Sequence, residues 1–313
     1  MIRVVDLSTI KSILPKVDLI SEIENGFAAY SNGEVVVPPI GELNFDSPPG
    51  SVHIKYGYIK NDNIYVIKIA SGFYQNSVIG LPTGNGMIIV FDKQTGAPIA
   101  VLNDECYLTD VRTAIAGAIC AKYLAPNNIK KIGIIGTGVQ ARMQLQYLKE
   151  VVDCKETIVW GRSSDALVTY KNDMNESGFI ITTTTNIDEV INNCQLIVTC
   201  TASERSLIKS LKKGTHVTAM GSDTILKQEL DSSVLLNADL IISDSLSQSH
   251  ERGEIHHALN DGLPINRVVE LGHIISGHKK GRSNDEQISV ADLTGVAVQD
   301  IQIAKAILDN IDQ

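Results

Sequence analysis

Three polar side chains stand where burial would make them costly, and each is of a type that holds an anion or moves a proton. Lys68 lies in the apolar stretch Tyr65-Val-Ile-Lys-Ile-Ala, where a lysine is expensive unless it meets a negative charge. Arg112, in Thr109-Asp-Val-Arg-Thr-Ala, sits among small residues; a guanidinium there suits two-point capture of a carboxylate. Asp223, in Met220-Gly-Ser-Asp, follows an apolar strand, and open parallel sheets bind ligands beyond the carboxyl ends of their strands. Each also has a plainer reading: a snorkelling lysine, a structural ion pair, a turn aspartate.

A fourth feature is a turn of small residues, Gly136-Thr137-Gly138-Val139-Gln140-Ala141. A GxGxxA turn alone is weak, but this one follows the buried stretch Lys131-Ile-Gly-Ile-Ile and opens a helix in a strand–helix–strand unit of about 30 residues. Gly136 allows the tight turn, Gly138 lets backbone amides approach a diphosphate, and Ala141 lets helix and strand pack closely. The positive end of the helix then faces the anion. The next strand ends Val159-Trp-Gly161-Arg162-Ser163-Ser164. NAD-binding units place a carboxylate there for the ribose 2′-hydroxyl. An arginine with two hydroxyls suits a 2′-phosphate instead, so NADPH is the expected cofactor, with NADH possible.

The elements around these residues fall into two patterns. Residues 8–31 carry apolar residues at helical spacing, with Ser8 at the start and Pro15 as a break. Short strands follow at 53–58, 65–70, 86–91 and 98–102, reading as a mostly antiparallel or mixed sheet. An Ala-rich helix spans 109–124, and Pro126-Asn-Asn closes this first part. From Lys130 strands and helices alternate: strands at 131–135, 157–160, 196–200, 216–220 and 240–243, and a helix at 140–151. That rhythm predicts a parallel sheet covered on both faces. A last helix at 295–310 packs back on the first part. The expected fold is α/β: a Rossmann doubly wound parallel sheet over 118–297, plus an α+β domain from 1–117 with 298–313.

Composition excludes several classes. Hydrophobic residues make up 43% and charged residues 20% of 313 residues, which is ordinary for a globular chain. A net charge of −9 argues against nucleic acid or an anionic membrane as partner. Five scattered cysteines without a CxxC pair read as reduced thiols. With no signal-like start and no run of about 18 apolar residues, the expected location is cytoplasmic. His250, Glu254, His256 and His257 lack metal-ligand spacing, so no metal is expected. Ser71 and Ser203 lack the GxSxG elbow of serine hydrolases.

Taken in order, Lys68 before Gly-Phe-Tyr-Gln-Asn, Gly80-Leu-Pro-Thr83-Gly, Phe91-Asp-Lys-Gln-Thr-Gly, Thr109-Asp-Val-Arg112-Thr-Ala, the Gly136 turn and Gly295-Val-Ala-Val-Gln-Asp300 resemble the ornithine cyclodeaminase/μ-crystallin family over nearly the whole chain. The resemblance implies that the α+β domain supplies the substrate pocket and a homodimer interface. It implies that Lys68 contacts the substrate, Arg112 holds its α-carboxylate and Asp223 acts near the reacting carbon and nitrogen. Lys55 is a further carboxylate-binding candidate. Thr83, Thr201, Ala202, Thr294 and Gly295 join the glycine turn and the Gly161-Arg162-Ser163 tip as expected cofactor contacts. The family includes cyclodeaminases, alanine dehydrogenases, reductases of cyclic imino acids and the NADPH-binding μ-crystallin. Three departures count against a cyclodeaminase here: Val37-Pro-Pro-Ile-Gly lacks the expected arginine, His53-Ile-Lys55-Tyr stands where a glutamate would meet ornithine's terminal ammonium, and the Gly161-Arg162-Ser163 tip suits an exchanging NADPH, not a retained NAD. The expected reaction is reduction of Δ1-pyrroline-2-carboxylate to L-proline. A cyclodeaminase, or a non-catalytic NADPH-dependent binder, is the alternative.

Overall fold

β-Branched residues alternating with polar ones over residues 49–92 build long antiparallel strands. The computed structural model describes residues 2–311, in two compact units. One comprises the chain up to Arg112 together with the residues from Val296 on, and the other is Thr113–Gly295. The division therefore falls inside the helix Tyr107–Leu124, not after Pro126, and differs from the expected 1–117 with 298–313 and 118–297. A helix that continues past the cut leaves no Pro/Gly signal there. Residues 1, 312 and 313 of the expected spans lie outside the described residues.

The first unit holds β1 (Arg3–Asp6), β2 (Val35–Val36), β3 (Gly41–Asp46), β4 (Pro49–Ile59), β5 (Ile64–Gly72), β6 (Gly84–Asp92) and β7 (Pro98–Asn103). They form one mixed sheet in the order β1-β7-β6-β5-β4-β2, with β3 also paired to β4. Only β1 on β7 is parallel. One face is buried: Val66, Ile88, Val90, Ala100 and Leu102 lie on it. The helices Leu19–Ser31 and Ala297–Asn310 belong to this unit, and the second packs on β4, β5 and β6. The expected 8–31 helix is interrupted at Pro15, as Leu7–Ile13, a 3₁₀ turn Leu14–Lys16, and Leu19–Ser31. Asp6 and Asp18 accept backbone N–H bonds at the two helix starts, which satisfies amides that the helix itself leaves open.

The second unit is an eight-stranded, wholly parallel sheet: β8 (Ile132–Ile135), β9 (Glu156–Trp160), β10 (Ile180–Thr184), β11 (Leu196–Thr199), β12 (His216–Ala219), β13 (Leu240–Ser243), β14 (Val268–Glu270) and β15 (Ser289–Asp292). Its order is β10-β9-β8-β11-β12-β15-β13-β14, so the direction of winding reverses between β8 and β11. That is the switch point at which doubly wound sheets bind dinucleotides. Two cores, one around Val217 and Val290 and one around Ile134 and Val159, fill the sheet's faces. No helix among the described residues is long and apolar enough to cross a membrane.

Candidate functional site

Lys68 lies on the buried face of the first unit's sheet, between Val66 and Ala70 on β5. It is 2% exposed. Its direct neighbours across the ladders are Lys55 on β4 and Ile88 on β6, so two lysines share one face side by side. Lys55 is buried as well. Like charges opposite each other in a sheet repel, and this face compensates with a carboxylate from a distant part of the chain. Asp300, on the helix Ala297–Asn310, accepts a hydrogen bond from Arg112 Nε at 2.9 Å. Its Oδ2 lies 3.7 Å from Lys68 Nζ and accepts no hydrogen bond.

Arg112 is held at both ends. Its Nη1 donates to Gln299 Oε1 at 2.9 Å, and Gln299 Nε2 donates back to the Arg112 carbonyl. Neither Nη2 of Arg112 nor the Lys68 ammonium donates a hydrogen bond to any described residue. Burial lowers the pKa of Lys68; Asp300 opposes the shift and Arg112 adds to it. Lys68 and Arg112 thus share the buried carboxylate of Asp300, and each keeps an unused donor. Buried donors without an acceptor are costly, and an anion would satisfy them.

Asp104 borders the same face, two residues beyond Leu102. Its Oδ2 caps the helix Tyr107–Leu124 by accepting the Leu108 N–H at 2.8 Å, and burial pushes its carboxyl up to about 6. Between it and the helix, Glu105 and Cys106 adopt left-handed backbone, φ 53° and 72°, which costs about 1–3 kcal/mol per non-glycine residue. Burial also raises the Cys106 thiol to about 11, so this cysteine is no thiolate nucleophile near neutrality. Thr83, assigned to the cofactor from sequence, is an exposed residue of the first unit. It follows the 3₁₀ turn Tyr74–Ile79, and its carbonyl accepts from Phe73 N at 2.8 Å.

The glycine turn lies in the second unit, beyond the carboxyl end of β8. Gly136 has φ 129°, and a Cβ there would come within 2.9 Å of the Cys200 carbonyl oxygen. A Cβ on Gly138 would meet nothing: the space above this turn is open. The helix Val139–Leu148 starts without a side-chain cap, leaving its first N–H groups for a ligand, while Ala141 is fully buried beneath. An open cradle with unspent amides fits a dinucleotide diphosphate. Arg142, which sequence reasoning missed, braces the turn from below by donating to the Thr137 and Gly138 carbonyls.

At the tip of β9, Arg162 is exposed and makes no hydrogen bond or ion pair with a described residue. The Ser163 hydroxyl caps the next helix, accepting from Ala166 N at 3.4 Å, so part of its capacity is spent locally. Gly161 is required by packing, since a Cβ would sit 2.7 Å from Thr137 Cγ2. Val139 is exposed and Gln140 partly buried beside it.

The remaining assigned residues of this unit are tied down by buried acids that sequence reasoning did not single out. Thr201 N–H donates to Glu229 Oε1 at 2.6 Å; Ala202 beside it is exposed. Asp244 accepts from Thr294 N and Oγ1 and, at 2.6 Å, from Gly295 N. Asp223 lies in the loop after β12, where its carboxylate pairs with Lys227 at 2.7 Å. Lys55, Lys68 and Arg112 are thus brought together in one unit, whereas Asp223 and the glycine turn belong to the other. His256 and His257 face the carbonyls of His250 and Lys227. No group of three or more potential metal-ligating side chains occurs among the described residues.

A doubly wound parallel sheet with an open glycine cradle defines a dinucleotide-binding fold. The ornithine cyclodeaminase/mu-crystallin family model matches residues 3–313, and the chain belongs to this family. It is 39% identical over 304 residues to an uncharacterized cyclodeaminase of Sinorhizobium fredii, covering 94% of this chain and 91% of that one. Among solved structures it is similar to an archaeal alanine dehydrogenase dimer with bound NAD: TM-score 0.90, 31% identity, 99% of this chain and 95% of that one. It also resembles Thermococcus litoralis Δ1-pyrroline-2-carboxylate reductase in complex with NADH and L-proline. There the TM-score is 0.92 at 25% identity, over 99% and 97% of the two chains.

Proposed function

We propose that this protein is an NAD(P)H-dependent reductase of a small α-imino acid, with Δ1-pyrroline-2-carboxylate, giving L-proline, as the favoured substrate. One observation carries the reading: the buried Lys68 and Arg112 share Asp300 and still have unused donors. A substrate carboxylate supplies the missing anion, with Arg112 and either Lys55 or Lys68 as its clamp. Two fixed cations hold the imino acid in one orientation, and such positioning is itself a large part of catalysis. A protonated imine is the better electrophile, and Lys68 or Asp223 supplies or holds that proton. Bound nicotinamide dinucleotide supplies the hydride. Thr83, Gly136–Ala141, the Gly161–Ser163 tip, Thr201, Ala202, Thr294 and Gly295 are proposed to contact it.

The unpaired Arg162 supports NADPH over NADH, although the solved relatives named above carry NAD or NADH. The cyclodeaminase alternative is disfavoured by Lys55, which stands beside Lys68 on the face a diamino acid would meet. The test is a panel of pyrroline-2-carboxylate, piperideine-2-carboxylate, pyruvate with ammonia, and ornithine, each with both cofactors. The expected result is oxidation of NADPH with a cyclic imino acid. Arg162→Ala is expected to lower kcat/KM for NADPH by about tenfold, in line with one charged hydrogen bond, while sparing NADH. A preference for NADH in the wild type removes the role given to Arg162. Silence across the whole panel removes the reductase.

The first unit exposes Leu43 and Phe45 on β3 together with Tyr74, Val78, Ile79 and Leu81. Exposed apolar side chains gathered in two short stretches of one unit are what an association surface requires, and they support a homodimer built through this unit. Light scattering is expected to return twice the chain mass of 33.9 kDa; a monomer at micromolar concentration contradicts it.

A further inference from the structure

Two loops beyond the carboxyl ends of the parallel sheet converge on one buried carboxylate. Glu229 is fully buried. Its Oε1 accepts the Thr201 N–H from the loop after β11, and its Oε2 accepts the Gly221 N–H, at 2.9 Å, from the loop after β12. The Thr199 hydroxyl, at the end of β11, adds a third donor at 2.8 Å. The two loops also touch directly: a Cβ on Gly221 would lie 2.1 Å from the Thr201 carbonyl oxygen. Glu229 is itself held, because its own N–H and that of Leu230 donate to the two oxygens of Glu254.

Sheet order gives this clamp a specific place. β9, with Arg162 at its tip, flanks β8 on one side; β11 and then β12 flank it on the other. In doubly wound sheets the strand after the glycine turn serves the adenosine half, and the strands beyond the switch point serve the other mononucleotide half. We propose that Glu229 is a positioning residue that ties the Thr201 and Gly221 loops into one support for the nicotinamide half of the dinucleotide. This rests on the cofactor reading above. It also makes Glu229 the element that orders the start of the loop carrying Asp223.

A carboxylate is required because every partner donates. Glu229→Gln puts an amide NH2 against either the Gly221 N–H or the Thr201 N–H, so one loop loses its acceptor whichever way the amide turns. Gly221→Ala leaves the charge intact but drives a methyl against both the Thr201 carbonyl oxygen and the Glu229 carboxylate, 2.5 Å from Oε2, and so parts the same two loops. Both variants are expected to weaken NADPH binding by about tenfold, the size of one lost buried hydrogen bond. Binding of 2′-phospho-ADP-ribose, which lacks the nicotinamide, is expected to change by less than about twofold. Glu229→Asp, which keeps the charge and shortens the reach, is expected to restore part of the loss.

The measurement is calorimetric titration of each variant and the wild type with both ligands. Equal loss for both ligands means a general structural role and overturns the proposal, as does unchanged NADPH affinity. Where Glu229→Gln fails to fold, Gly221→Ala decides alone by the same criterion. If the wild type binds neither ligand, it is the cofactor reading that fails.

Discussion

Arg112→Ala is expected to lower kcat/KM for the imino acid by roughly two to three orders of magnitude, with dinucleotide affinity unchanged. Truncating one partner of a buried, hydrogen-bonded charge pair costs about 2–5 kcal/mol, and a tenfold change in rate or equilibrium constant corresponds to about 1.4 kcal/mol. Three things are lost together: the Nε bond to Asp300, the Nη1 bond to Gln299, and the free Nη2 that the substrate carboxylate would use. The loss is expected in both KM and kcat, because the clamp binds the carboxylate in ground and transition state alike and also orients the imine. Arg112→Lys is expected to recover little, since an ammonium is no substitute for a planar fork with two partners fixed in different directions. Steady-state kinetics on both variants, beside a thermal melt to confirm folding, checks this. Wild-type kinetics in Arg112→Ala would remove the arginine from the site.

The second large effect concerns Asp300. Asp300→Asn keeps the shape but removes the carboxylate that Lys68 and Arg112 share, and breaking a buried pair by deleting one charge costs about 3–5 kcal/mol. The loss should depend on pH in a particular direction. Lys68 already titrates below its usual 10.5 because of burial, and Asp300 is the largest influence holding it up. Without Asp300 its folded-state pKa falls further below the unfolded value. A lysine in that position binds fewer protons folded than unfolded between the two values, so stability rises with pH across that window. From about pH 7 upward Asp104, pushed up to about 6, is mostly ionised, and up to about pH 10 Cys106, at about 11, is mostly neutral. The gap in Tm between Asp300→Asn and wild type is therefore expected to narrow from about pH 7 towards about pH 10. Melts across that range measure it. A gap that widens at alkaline pH would mean that Asp300 does not stabilise the charged form of Lys68.

How far these features can be seen without coordinates follows from how local their causes are. The glycine turn is legible because strand, turn and helix are contiguous. Lys68 and Arg112 are legible because a charge in an apolar run is anomalous on its own. Asp300 is different: it lies 188 residues from Arg112, and its position inside an apolar helical stripe is the only local hint. Glu229, Glu254 and Asp244 escape for a related reason, since most of their recorded partners are backbone amides that no side-chain pattern records. The strands β14 and β15 are brief, so pairing inside the parallel sheet defines them more than propensity does, whereas β10, Ile-Ile-Thr-Thr-Thr, has the propensity of a strand but only two apolar residues to mark it. The division at Arg112 is invisible because a continuous helix runs through it.

The central claim is that the protein, with unused donors on the buried Lys68 and Arg112 and an open glycine cradle, performs net reduction of an imino acid. The most direct measurement is stoichiometric: incubate the purified protein with NADPH and Δ1-pyrroline-2-carboxylate, and count NADPH consumed against L-proline formed. One NADPH oxidised for each L-proline produced, with no ammonia released, is the expected result. Proline and ammonia arising from ornithine without net consumption of cofactor would contradict it.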